Sequence, residues 1–215
     1  LKEFAVIGLG RFGMGVATAL FDQGFNVLGV DLDSAKVQAA ADRITHVVEA
    51  DATDRDTLKS LGIRNFDTVV VGVGELEASV LTTLTLKELG VREVVVKSLS
   101  EAHGKILERI GADRIVFPER DMGSRVARNL SSANLVDYLE LTPEFSIVEV
   151  KATAELIDKN LAEINFRSRY GTTVIGIKRS DELIVLPGGD DCIREGDILL
   201  VLGRNDQLQQ LPGMN

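Results

Sequence analysis

The chain has 215 residues, 45% of them hydrophobic and 5% aromatic, with no tryptophan and a formal net charge of −9. That length suits two small domains, and an apolar mass of Val, Ile, Leu and Ala favours a buried parallel sheet over an aromatic-rich sandwich. An acidic chain without a local basic patch repels nucleic acid and anionic lipid, so neither is expected as a partner. The one cysteine, Cys192, cannot build a disulfide framework or a cysteine-based zinc site and fits a reducing compartment. No apolar run reaches the roughly 20 residues of a spanning helix, and the first strand starts too early for a signal peptide. The expectation is a chain that is not inserted in a membrane and meets one only through a partner.

Six apolar, β-branched runs follow in order: Phe4–Ile7, Asn26–Val30, His46–Val48, Thr68–Val73, Glu93–Lys97 and Arg114–Phe117. Helical spacing separates them, as in Phe12, Val16 and Leu20, in Val80, Leu81, Leu84 and Leu89, and in Ile106 and Ile110. Strands alternating with helical segments predict βαβ units and a six-stranded parallel sheet of the Rossmann type, hence an α/β fold. A short repeat supports this. Lys59-Ser60-Leu61-Gly62-Ile63-Arg64 resembles Lys87-Glu88-Leu89-Gly90-Val91-Arg92, and Glu108-Arg109-Ile110-Gly111-Ala112-Asp113 is a looser copy. Each reads as a helix closing on a left-handed glycine before a strand.

The alternation stops after Phe117-Pro118. A helical stretch from Asp121 to about Asn134 comes next. Phe145–Lys151 then reads as a strand, Leu156–Phe166 as helical, and Thr173–Lys178, Leu183–Leu186 and Ile198–Leu202 as strands, before a last helical turn over Gln207–Leu211. The expected organisation is a nucleotide-binding domain over 1–120, a linker helix over 121–139 and a small α+β lobe over 140–215.

Gly8-x-Gly10-x-x-Gly13 follows the first strand and opens a helix, the context a dinucleotide-binding fingerprint needs. Gly8 permits the turn, Gly10 lets phosphates approach the backbone, and Gly13 lets helix pack on strand. Arg11 and Phe12 complete the loop, and Arg11 is a fixed cation suited to phosphate oxygens. Asp31 ends the second strand 21 positions beyond Gly10, where a carboxylate accepts ribose hydroxyls and repels a 2′-phosphate. Asp33 either joins that site or caps the following helix. The loops Asp51-Ala52-Thr53 and Val73-Gly74-Glu75 follow the third and fourth strands, on the edge where ligands sit in such folds.

No catalytic constellation accompanies this site, so the chain is expected not to be an enzyme. His46 falls on the third strand, where a structural role is expected, and His103 is expected on a helix surface. Cys192 lies in the acidic run Asp190-Asp191-Cys192, surroundings that disfavour a thiolate. An NAD-dependent dehydrogenase would need a proton-transfer group near the nicotinamide. A redox-sensing transcription factor would need a basic DNA-binding element.

Several segments together resemble the RCK family, the regulators of potassium conductance, also called KTN domains, and within it the KtrA-like, TrkA-related subunits of potassium uptake systems. They are Leu9-Gly10-Arg11-Phe12-Gly13, Asp51-Ala52-Thr53, Val94-Val95-Val96-Lys97 and Val116-Phe117-Pro118-Glu119. In the C-terminal part they are Ile164-Asn165-Phe166-Arg167-Ser168-Arg169-Tyr170-Gly171 and Ile193-Arg194-Glu195-Gly196-Asp197. The resemblance implies a cytoplasmic gating ring, commonly an octamer built from dimers, beneath a membrane-embedded potassium-translocating subunit. It implies ATP or ADP at the Rossmann site, with NAD or NADH as the alternative. Arg11 and Lys97 would then face the phosphates and Asp31 the ribose. Glu119 would hold a divalent cation or Na+ near paired nucleotides at a dimer interface. The helix from Asp121 would be a crossover between neighbouring subunits. In some relatives the second lobe takes cyclic di-AMP, which would place Arg167 and Arg169 on phosphate, although Thr172-Thr173 depart from the more strongly hydrogen-bonding side chains of some binders. The bland alternative is that these arginines are solvated or paired with neighbours such as Glu163.

Overall fold

A computed structural model describes residues 2–131 and 134–214. The chain divides into two compact units, one ending at Arg120 and the other starting at Asp121.

In the first unit the strands are β1 (Glu3–Ile7), β2 (Asn26–Asp31), β3 (His46–Glu49), β4 (Thr68–Val71), β5 (Glu93–Lys97) and β6 (Arg114–Val116). They form one sheet in the order β3-β2-β1-β4-β5-β6, parallel throughout. The chain therefore builds outward from β1 on one side, then returns to pair β4 with β1 and builds outward on the other. In such sheets the crevice at that reversal is where ligands bind.

The helices between the strands are α1 (Arg11–Asp22), α2 (Ser34–Ala40), α3 (Arg55–Ser60), α4 (Leu76–Glu88) and α5 (Glu101–Arg109). Because strand side chains alternate, Ala5 and Ile7 join one apolar cluster with Leu58, Leu86 and Leu107. Val6 joins another on the opposite face with Leu9, Ala17 and Val27. Leu58, Leu86 and Leu107 are fully buried, and each such side chain contributes about 1.5–3 kcal/mol. The repeated punctuation is real: Gly62, Gly90 and Gly111 take φ of 64°, 78° and 93°, each just past the end of α3, α4 or α5.

Helix α4 departs from its periodicity. Ser79, Thr82, Thr83 and Leu86 are its buried residues, while Leu81 and Leu84 stay 43% and 38% exposed. Thr82 and Thr83 satisfy their hydroxyls on Ala52 O and Ser79 O, which makes small polar residues tolerable against the sheet.

Helix α6 (Pro118–Ser131) runs across the division between the units. Beyond it the linker reading needs correction, since Leu135–Glu140 is a strand, β7, and not part of a helix reaching residue 139. Asn134 lies just before it, outside α6, and residues 132–133 lie outside the described residues. The second unit continues with β8 (Phe145–Lys151), α7 (Leu161–Ile164), α8 (Phe166–Tyr170), β9 (Thr173–Arg179), β10 (Glu182–Val185), β11 (Ile198–Arg204) and α9 (Asn205–Leu208). The strands make an antiparallel sheet in the order β10-β9-β11-β8-β7. The helical reading of Leu156–Phe166 also needs correction. Residues 156–158 before Asn160 are turn, and Asn165, at φ 52°, ends α7 and caps α8, so within the segment only Leu161–Ile164 and the first residue of α8 are helical.

Inside this unit Val148, Val150, Ile177, Leu199 and Val201 pack with Phe166, Tyr170 and Leu208. Asp197, 1% exposed, is held by Arg179 through two parallel hydrogen bonds of 2.9 and 2.8 Å. It also accepts from Arg194 N at 2.8 Å. The Arg179 hydrogen bonds hold the Asp197 carboxyl below its ordinary range.

Candidate functional site

The loop after β1 is shaped by close approach. Gly8 has φ 89°, and a Cβ there would meet Val73 N at 2.8 Å and Gly72 C at 2.9 Å. A Cβ on Gly13 would fall 1.9 Å from Gly8 O, so helix α1 starts in direct contact with the loop backbone. Gly10 has ordinary extended backbone, and a Cβ there meets nothing within 4 Å. Its bareness therefore serves the space in front of the loop. Gly10 caps α1 without a side-chain hydrogen bond, so the first-turn N–H groups of a twelve-residue helix face outward with the positive end of its dipole, an arrangement that suits an anion.

Asp31 is bound into this loop. It is 8% exposed; its Oδ2 accepts from Leu9 N at 2.7 Å and its Oδ1 from Asp33 N at 2.9 Å. Lys36 Nζ sits 3.4 Å from the same Oδ1 and 3.7 Å from Asp33 Oδ2. Asp33 itself caps α2, accepting from Ala35 N at 2.9 Å, so of its two readings the structure shows the cap.

A cleft of about 470 Å³ opens at the carboxyl ends of the central strands. It brings together Gly8, Gly10, Asp31, Asp51, Ala52, Thr53, Val73, Gly74 and Glu75 from the expected set. Asp51 accepts from Thr53 N at 2.9 Å and from Thr53 Oγ1 at 2.6 Å. Glu75 caps α4, with Glu77 N at 2.9 Å and Ala78 N at 2.5 Å on its two oxygens. These N–H groups, Ala78 first, hold its carboxyl below the usual value. Both acids thus shape their own loops while facing the cleft.

Arg11, Phe12, Gly13, Asp33, Lys97 and Glu119 do not line this cleft. Phe12 instead packs with the apolar cluster of Val6, Leu9 and Val27, because the helical turn points it at the sheet. Gly13 is spent on helix packing. Lys97, 13% exposed, holds Glu119 at 2.6 Å. That hydrogen bond chiefly, with a smaller contribution from the charge of Arg11, keeps the Glu119 carboxyl low. Lys97 and Glu119 are thus an ion pair whose carboxylate the charge of Arg11 also favours. Among the described residues no set of three or more potential metal ligands comes together, and within one chain Glu119 serves as the counter-ion of Lys97.

The sequence reading passed over Leu32, Lys36, Ala78 and Thr82, which also line the cleft. Lys36 had a readable signal, because it lies one helical turn after the Asp33 cap and so beside Asp31. Leu32 is 68% exposed, an apolar face flanked by two acids.

Neither histidine reaches the cleft. His46 is exposed on edge strand β3. His103 was expected on the surface, but it is fully buried. It faces inward on α5 with Gly104 and Leu107, and its Nδ1 accepts from Leu99 N at 3.4 Å. Among the described residues its Nε2 finds no partner, and burial pushes its pKa down. Cys192 is exposed.

In the second unit, Arg167 borders a shallow cleft with Asn165, Thr172 and Gly189. Arg169 does not; it lies with its guanidinium 5.1 Å from the Tyr170 ring centre. Among the described residues no helix is long and apolar enough to cross a membrane.

Comparison with known proteins accounts for both units. The TrkA-N domain model matches residues 4–118 and the TrkA-C domain model residues 145–211. The chain is 49% identical over 203 residues to Ktr system potassium uptake protein C of Bacillus subtilis, covering 94% of this chain and 92% of that protein. It is 45% identical over 210 residues to Ktr system potassium uptake protein A of the same organism, covering 97% and 95%. Among solved structures, the GsuK channel bound to NAD superposes with a TM-score of 0.71 at 17% identity, covering 100% of this chain and 39% of that one, a likeness of fold. The chain belongs to the TrkA-N and TrkA-C family of RCK, KtrA-like proteins.

Proposed function

We propose that this chain is the nucleotide-sensing regulatory subunit of a Ktr-type potassium uptake system, with ATP and ADP as the sensed pair. The observation that carries the reading is the arrangement around Gly10. Gly10, the bare residue that caps α1 without a side-chain hydrogen bond, lines the cleft, and the charge of Arg11 acts on Glu119, the ion-pair partner of Lys97. Adenosine would occupy the part of the cleft lined by Asp31, Leu32 and Asp51. Its phosphates would lie over Gly8 and Gly10, where a terminal phosphate comes within reach of Arg11 and Lys97. Such a phosphate competes with Glu119 for Lys97, so ATP and ADP interact differently with this charged group. A ligand shifts a conformational equilibrium only through such differential affinity.

The partner in this reading is a membrane-embedded potassium-translocating subunit, named through the Ktr relatives. The chain acts at the cytoplasmic membrane face, as a homo-oligomeric ring built from dimers, with α6 as the crossover. In this reading the nucleotide is sensed and not chemically transformed. A cation at Glu119 would need further ligands from phosphate or from a second copy, and no step here depends on one. Arg167 and its shallow cleft are the candidate second-lobe site for cyclic di-AMP, with Arg169 at its margin.

Calorimetry with ATP, ADP, NAD+, NADH and cyclic di-AMP tests the ligand assignment, and potassium uptake with Arg11→Ala tests the mechanism. We expect ATP and ADP to bind and Arg11→Ala to narrow their difference in transport activation without unfolding the chain. Tight binding of NADH alone would favour an NAD(H)-sensing, Trk-type regulator. Full retention of the ATP/ADP difference in Arg11→Ala would remove Arg11 from the mechanism.

A further inference from the structure

Among the described residues lining the cleft, Lys36 is the one basic side chain. The three carboxylates there are not equally free. Glu75 has both oxygens filled by Glu77 N and Ala78 N. Asp51 uses Oδ1 within its own turn. Asp31 is fixed by Leu9 N and Asp33 N, so it needs no cation to position it. Its remaining contact is Lys36 at 3.4 Å, long for a charge-assisted hydrogen bond. Lys36 is 46% exposed, and an ion pair of that kind contributes little by itself.

A weak lysine contact to a fixed carboxylate, at the edge of a ligand-sized cleft, is a gap of one donor and one acceptor. A hydroxyl group fills it. Its proton goes to the carboxylate, and its oxygen accepts from the ammonium, which carries three donors.

We propose that Lys36 reads the ribose: its ammonium donates to the 2′-oxygen of a bound ribonucleotide whose 2′-hydroxyl donates to Asp31 Oδ1. This rests on the nucleotide reading of the cleft and deepens it, because it makes the sensor selective for ribo- over deoxyribonucleotides. A site that hydrogen-bonds a hydroxyl discriminates against the analogue that lacks it, because its polar groups are then left unpaired.

The test is calorimetric titration of ATP and of 2′-deoxy-ATP into wild type, Lys36→Ala and Lys36→Arg. Lys36 is on the surface of α2, so the variants are expected to fold, and a circular dichroism melt checks this. Wild type should prefer ATP roughly tenfold, the scale of one hydrogen bond to a charged group. Lys36→Ala should lose most of that preference through weaker ATP binding, with 2′-deoxy-ATP within about twofold of wild type, and Lys36→Arg should restore part of it. Equal weakening of both ligands would make Lys36 a general electrostatic contributor and overturn the proposal. Unchanged binding of both would do the same. Failure of wild type to bind ATP at all would instead sink the nucleotide assignment on which the proposal stands.

Discussion

Asp31 Oδ2 accepts the N–H of Leu9 at 2.7 Å, so the last residue of β2 holds the loop that follows β1. The residue expected to bind ribose is therefore also a buried strut for the phosphate loop. Asp31→Ala should destabilise the first unit by about 2 kcal/mol, the scale of losing a charge-assisted hydrogen bond and leaving an N–H unpaired, and should weaken nucleotide binding with it. Urea unfolding and calorimetry on the same variant read the two effects. Wild-type stability would show that the strut contributes nothing.

Gly10→Ala and Gly13→Ala should separate binding from folding. At Gly10 an added methyl meets nothing within 4 Å, so stability should stay within about 0.5 kcal/mol while phosphate approach is blocked. At Gly13 the methyl would lie 1.9 Å from Gly8 O, so the loop or α1 must shift and thermal stability should drop by several degrees. Equal behaviour of the two variants would contradict this account.

His103 is buried in its neutral form, and burial lowers its pKa from 6.5. The unfolded chain then takes up a proton near that value while the folded chain resists. Stability should be fully present above about pH 7 and decline as pH falls through 6.5, levelling only below the depressed folded value. His103→Leu removes this titration and should flatten the stability-versus-pH curve between about pH 7 and 5. A wild-type curve already flat there would count against a neutral buried His103.

In the second unit, Asp197→Ala leaves Arg179, 23% exposed, without its bidentate partner. Removing one member of a buried pair typically costs about 3–5 kcal/mol, and partial exposure of the arginine places the expected loss toward the lower figure. The Asp197 carboxyl lies below its ordinary 3.8, so its stabilisation is present above that pH and is lost as pH falls through the depressed value. Acid unfolding of wild type and variant, followed by tyrosine fluorescence, should converge at low pH.

The Rossmann unit was legible because each level of its sequence agrees with the others: β-branched runs, helix-closing glycines and an acid at the fingerprint distance. The second unit was less so. Strand β7 follows a helical pattern with no intervening glycine or proline, and its register against β8 shifts between Leu135 and Asp137, which breaks the alternation that would reveal it. The reading of α4 found its leucine stripe but not that Ser79, Thr82 and Thr83 form the buried face, a choice set by packing and not by hydropathy. At the site, the fingerprint placed Gly8, Gly10 and Asp31. The Phe12 side chain turns toward the sheet and not the cleft, because loop membership says nothing of which way a side chain turns. Lys36 was within reach of the same reasoning, one helical turn after the Asp33 cap, while Leu32, Ala78 and Thr82 needed three-dimensional placement to join the cleft.

The reversal of strand order between β1 and β4 has a practical outcome. The cleft draws on loops after β1, β2 and β3 on one side and after β4 on the other, so an occupant stitches together halves of the sheet that the chain winds separately. Occupancy should then register as a rise in melting temperature. A ligand at a hundred times its dissociation constant adds about 2.7 kcal/mol, and a thermal-shift screen becomes a direct gauge of what the cleft prefers.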